Sequence, residues 1–190
     1  METAKATLLR YVVDARASRF TVQAFATGIL SAMGHNPRIG IRAFSGEVNF
    51  SADAAQAGGF RLTMKSNSLG VLDDISDKDR REIEKMMNDQ VLESSKYPDI
   101  VYEAPNVTIA RLDGSLYSAN LAGTLSFHGV TRNQSITARI AQFGEVIRAS
   151  GEFSLNQSEY GIKPISVAGG ALKVKDELKF SFEMVARKQD

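Results

Sequence analysis

Apolar and polar residues alternate with period two along most of this chain. Such a pattern suits strands that bury one face and wet the other. Phe20, Val22, Ala24 and Ala26 interleave with Arg19, Thr21, Gln23 and Phe25, and Phe60, Leu62 and Met64 interleave with Arg61, Thr63 and Lys65. The alternation continues through Val107 and Ile109 and from Tyr117 to Phe127. It returns at Ile136 to Ile140, Ile147 to Phe153 and Leu178 to Met184. About seven or eight strands result, joined mostly by short turns such as Asp113-Gly114 and Gly144-Glu145, as in an antiparallel meander. Long half-buried strands expose their edges unless the sheet closes. A closed antiparallel β-barrel is therefore favoured, with a two-sheet sandwich as the alternative.

Two segments depart from this pattern. Between Arg38 and Phe50 the apolar set changes parity, from Ile39 and Ile41 to Phe44, Val48 and Phe50, which predicts a bulge or bend near Ala43. From Ser76 to Ser94 the period becomes helical, with Ile83, Met86, Met87, Val91 and Leu92 on one stripe. Ser76 is placed to cap the helix, and Asp77 and Asp79 suit its positive end. That stripe must lie on something, and an open barrel end is the nearest candidate. Gly161 to Lys173, with Pro164 and Gly169-Gly170, reads as a loop with one short turn. Nothing marks a linker or repeat, so residues 1–190 read as a single domain with a helix at about 76–94.

Composition narrows the function. Lys and Arg total 23 against 22 Asp and Glu, which is too balanced for a duplex-binding or membrane-surface protein. Zero cysteines remove disulfides, thiolate metal sites and cysteine nucleophiles together. No stretch approaches the roughly 20 apolar residues of a membrane-spanning helix. At the start, Arg10 and Asp14 interrupt the apolar residues, so no secretory core is visible and a cytoplasmic location is expected if Met1 is the native start.

The reactive side chains are sparse. His35 lies in the turn sequence GHNPR and His128 closes a strand, and neither has metal-ligand neighbours in sequence. Asp73, Asp74, Asp77 and Asp79 lack calcium-loop spacing and read as a charged helix start. Glu152 and Glu159 look like wet-face charges, and the glycine pairs fit no phosphate-binding motif. Arg38, Arg42, Arg132 and Arg139 lie on wet faces while the aromatics lie on apolar ones, so no stacking platform for nucleic acid forms. What remains is apolar material: ten Phe, five Tyr and six Met with no Trp. A barrel of about eight strands either fills itself or holds one small ligand, and the pattern leaves both open.

Several stretches together resemble a known family. They are YVVDARASRFTVQAFATG, RAFSGEVNF, DRREIEKMMNDQVLESSKYPDIVYEA, LAGTLSFHGVTRNQSITARI and GEFSLNQSEYGI followed by LKVKDELKFSFEM. In this order, from about Tyr11 to Met184, they resemble the YceI-like family of lipocalin-like, polyisoprenoid-binding barrels. GTLSFHGVTR and Tyr97-Pro98 are the more specific parts. The resemblance implies a closed barrel with a flanking helix and an internal apolar channel, no catalytic constellation and no cofactor. It also implies a ligand of polyisoprenoid, isoprenoid-quinone or fatty-acid type. Three features differ from common members: no signal peptide is visible, Asn133 stands where proline commonly follows GVTR, and the Gly34-His35 loop matches only a branch of the family.

The expected lining is Phe20, Val22, Ile41, Phe44, Met64, Leu125, Phe127, Ile136, Phe153, Phe180 and Phe182, with Met86, Met87 and Val91 on the helix side. His35 or Arg38 would meet a head group. The expected partner is a long-chain lipid or isoprenoid, with no nucleic acid and no stable membrane insertion, and a homodimer is allowed. The alternatives are a small hydrolase or metal-dependent enzyme built on His35 and His128, or a ligandless stress-related module that binds another protein.

Overall fold

The computed structural model describes residues 8–27, 36–51, 58–167 and 172–189. The chain forms strands β1 (Leu9–Val13), β2 (Arg19–Gln23), β3 (Ala26–Thr27), β4 (Arg38–Ile41), β5 (Phe44–Phe50), β6 (Phe60–Lys65) and β7 (Leu69–Val71). Helix α1 (Asp77–Met86) follows, then β8 (Asp99–Asp113), β9 (Leu116–Phe127), β10 (Val130–Phe143), β11 (Val146–Asn156), β12 (Ser166–Val167), β13 (Leu172–Val174) and β14 (Glu177–Lys188). Eight strands close a barrel in the order β1-β5-β6-β8-β9-β10-β11-β14, and β14 returns to β1. Every pairing is antiparallel, as the alternation requires.

Three walls of the barrel are strands broken in the middle. Asp14 to Ser18 separate β1 from β2, and β14 serves both: Lys179 to Glu183 pair with β2, and Ala186 to Lys188 with β1. The Asp14 carboxylate accepts the N–H groups of Arg16 and Ala17 at this break. It also accepts Arg187 Nε at 2.8 Å, a bond that holds its pKa below the ordinary carboxylate value. Arg42 and Ala43 separate β4 from β5, where the parity change predicts a bend. A 3₁₀ turn at Ser66–Ser68 separates β6 from β7. The segment read as a loop contains β12 and runs into β13; β12 pairs with β13, and β13 with β3, as a small second sheet. That assignment is corrected because the inter-strand bonds, absent from local sequence, define these two- and three-residue strands.

The walls are pinned by a buried tyrosine. The Tyr102 hydroxyl lies 3.0 Å from the carbonyl of Leu121 and 2.9 Å from that of Gln134, stitching β8 to β9 and β10. It passes directly over Gly123, where a Cβ would stand 2.6 Å from the tyrosine oxygen, so only glycine fits. Burial pushes the Tyr102 pKa up to about 12. The unfolded hydroxyl ionises near about 10, so this contribution is complete below that pH and fades as pH climbs through about 12, by roughly 2–3 kcal/mol in total. Wild-type melting should therefore fall more steeply between those values than that of Tyr102→Phe. Superimposable pH profiles would remove Tyr102 from this role.

Candidate functional site

The inward faces do not meet at the barrel axis. They enclose a chamber of about 500 Å³, within the roughly 300–1,000 Å³ typical of small-molecule sites. Its floor is at the end carrying the β8–β9 and β10–β11 turns. There Phe50 and Ile147, both 1% exposed, close the wall. Tyr11 and Tyr117 meet the Phe50 ring edge-on at 6.4 and 6.0 Å, which makes the floor a packed aromatic plug. Ala138 and Ala149 line the shaft, and such small side chains leave the hollow above the plug open.

Helix α1 occupies the opposite end, in a gap that the sheet itself creates. Among the described residues β7 pairs with β4 on one side only, while β8 pairs with β6 and β9, so the ring they form is unsealed between β7 and β8. Two helix side chains meet the unpaired edge. Glu84 accepts the Val71 N–H at 2.9 Å, and Arg80 donates to the carbonyls of Val71 and Asp73. Ser76 caps the helix by accepting the Asp79 N–H at 3.1 Å. The predicted helix over 76–94 is shorter as an α-helix: it ends at Met86 and widens into a π-helical turn at Met87–Val91. Leu92 N–H then bonds to the Met87 carbonyl, five residues back. That wider turn brings Met87, Val91 and Leu92 to the chamber together with Ile83 and Met86.

Of the residues expected to line a hollow, Phe20, Val22, Ile41, Met64, Leu125, Phe127, Ile136, Phe153, Phe180, Phe182, Met86, Met87 and Val91 all do. Phe44 does not and is corrected. Its ring meets Phe20 edge-on at 4.7 Å, and Phe20 takes the lining position. Arg38 is not part of the wall either. It is an exposed residue whose N–H and Nε both bond to Asp73, the rim carboxylate that does line the mouth. His35 lies outside the described residues. Sequence reading missed Tyr102, Ile140 and Ile147 in the lining, and also Gln157, for which periodicity offers no signal.

His128 has a structural position. With Gly129 it forms a two-residue hairpin turn in which both residues have positive φ, 51° and 75°. Its Nε2 lies 2.8 Å from the Glu93 carboxylate and its Nδ1 3.1 Å from the Tyr160 carbonyl, while its ring packs on Tyr97 at 4.4 Å. Nε2 thus fastens the segment after the helix to the β9–β10 turn, and Nδ1 fastens the 3₁₀ turn at Gln157–Tyr160, after β11, to the same place. Among the described residues, no three His, Asp or Glu side chains gather as a metal site, and Glu152 pairs with Lys179.

This barrel is similar to several solved structures. BcnA of Burkholderia cenocepacia is 20% identical, with 91% of this chain and 98% of that one covered at a TM-score of 0.69. A polyisoprenoid-binding domain from Saccharophagus degradans, implicated in plant cell wall breakdown, is 16% identical over 97% of this chain and 100% of its own, also at 0.69. The YceI protein of Campylobacter jejuni is 16% identical, covering 83% and 88% at a TM-score of 0.60. At such identities the likeness is one of fold. No curated protein matches the chain. The YceI-like domain model, however, matches residues 11–186, nearly the whole barrel, from the plug tyrosine Tyr11 on β1 to the buried Ala186 on β14, so the chain belongs to the YceI-like domain family.

Proposed function

We propose that the chamber holds the tail of a long-chain apolar molecule, a polyisoprenoid, isoprenoid quinone or fatty-acid-like lipid, and that the protein carries or stores it without chemical turnover. The observation that carries this reading is a plugged apolar shaft of about 500 Å³ whose walls are almost wholly hydrocarbon and aromatic. Each buried CH₂ contributes about 0.8 kcal/mol, so a sixteen-carbon chain brings on the order of 13 kcal/mol before the entropic cost of binding. The Saccharophagus degradans domain of the same fold, described as polyisoprenoid-binding, supports the choice of ligand class. Methionines from α1 and the turn after it, Met86 and Met87, supply a wall that adapts to a flexible chain. Native mass spectrometry of gently purified protein should show an adduct of lipid mass. Bare protein from several hosts, with no uptake of long-chain probes, would overturn the reading.

A further inference from the structure

Among the described residues, the polar side chains that line the chamber are few, and they differ in their circumstances. Asp73 is at the rim and tied to Arg38, Lys173 and Ser181 are exposed, and the Tyr102 hydroxyl is spent on two backbone carbonyls. Gln157 is different: it is only 4% exposed, yet it lines the hollow. Its backbone is fixed, with its N–H on the Asp176 carbonyl at 2.9 Å and its carbonyl accepting the Ile162 N–H at 3.1 Å. Its side-chain Nε2 donates to the Lys175 carbonyl at 2.9 Å.

That last bond fixes which way the amide points. A carbonyl only accepts, so the nitrogen must face Lys175 and the oxygen must face away. Among the described residues no donor reaches Gln157 Oε1, and no fully enclosed side-chain polar atom lacks a partner, so Oε1 retains an open surface. For a buried residue on the chamber wall, that surface is the chamber. We infer that Gln157 Oε1 is a head-group acceptor, and that the ligand carries a hydroxyl donor at its polar end: a long-chain alcohol or a quinol. A quinone or an ether offers acceptors only, and would leave Oε1 unpaired in an apolar surround.

This inference rests on the proposed tail-binding function, and the test separates the two. Dodecanol and dodecyl methyl ether present similar tails and differ in the donor, and each is titrated against a displaceable fluorescent long-chain probe. Wild-type protein should prefer the alcohol by about tenfold, the worth of one hydrogen bond in a dry site. In Gln157→Leu that ratio should collapse toward one while the ether keeps its affinity. Equal wild-type affinities, or a preference that survives in a folded Gln157→Leu, would overturn the acceptor role and leave tail binding intact. Should neither compound bind, tail binding itself fails. Equal wild-type affinities overturn the acceptor role even if Gln157→Leu does not fold, and in that case Gln157→Glu, which keeps the acceptor oxygen, should retain the preference for the alcohol while Asp73→Asn leaves it unchanged.

Discussion

Ala149→Phe should abolish most ligand binding while leaving the barrel folded. Ala149 lines the shaft on β11, opposite Ile140 on β10 and Met184 on β14, and is 7% exposed. A ring added there projects into the hollow instead of into packed atoms, so the strain of about 1–3 kcal/mol that overpacking normally costs is largely avoided. The ring displaces about three or four CH₂ groups of a bound tail, or roughly 2.5–3 kcal/mol, and affinity for long-chain probes should drop about 100-fold. Probe titration beside thermal melting checks this. Undiminished affinity in a folded variant would mean that the tail does not pass Ala149.

Phe50→Ala should produce the largest loss of stability, with an unusual functional consequence. Phe50 is 1% exposed and packs edge-on against both Tyr11 and Tyr117. Its removal should cost about 3–5 kcal/mol, which for a chain of this size lowers the melting temperature by about 10 °C. The same substitution opens the floor. The chain length at which affinity stops rising should therefore lengthen by several carbons relative to wild type. A stability loss with no change in that limit would place the floor elsewhere.

The legible and illegible parts of this fold divide along physical lines. Period-two alternation is a local property, and it predicts the long strands, their inward faces and nearly all of the expected lining, including the helix stripe from Ile83 to Leu92. The parity change near Ala43 is local too, and the chain breaks there between β4 and β5. β8 is different. Ile100, Tyr102 and Ala104 face inward, but so do Val107 and Ile109, because a register shift between Glu103 and Asn106, at Pro105, changes the parity. Alternation read on one phase finds the second pair and misses the first set.

Long-range relations were beyond the pattern altogether. Both Phe20 and Phe44 were expected in the lining, and that Phe44 instead packs edge-on against Phe20 outside it depends on a contact between residues far apart in sequence. The role of Gln157 depends on a carbonyl at Lys175, 18 residues away in sequence. Helix α1 fits the gap beside β7 because β7 leaves an edge that Arg80 and Glu84 satisfy, and nothing in the helical periodicity marks those two residues apart from other surface charges.

The most direct test of the central claim is a titration of wild-type protein with straight-chain alcohols of increasing length. If the shaft above the Phe50 plug is the binding site, affinity rises by about fourfold per added CH₂ and then levels off once the tail reaches the floor. Affinity that is independent of chain length would contradict it.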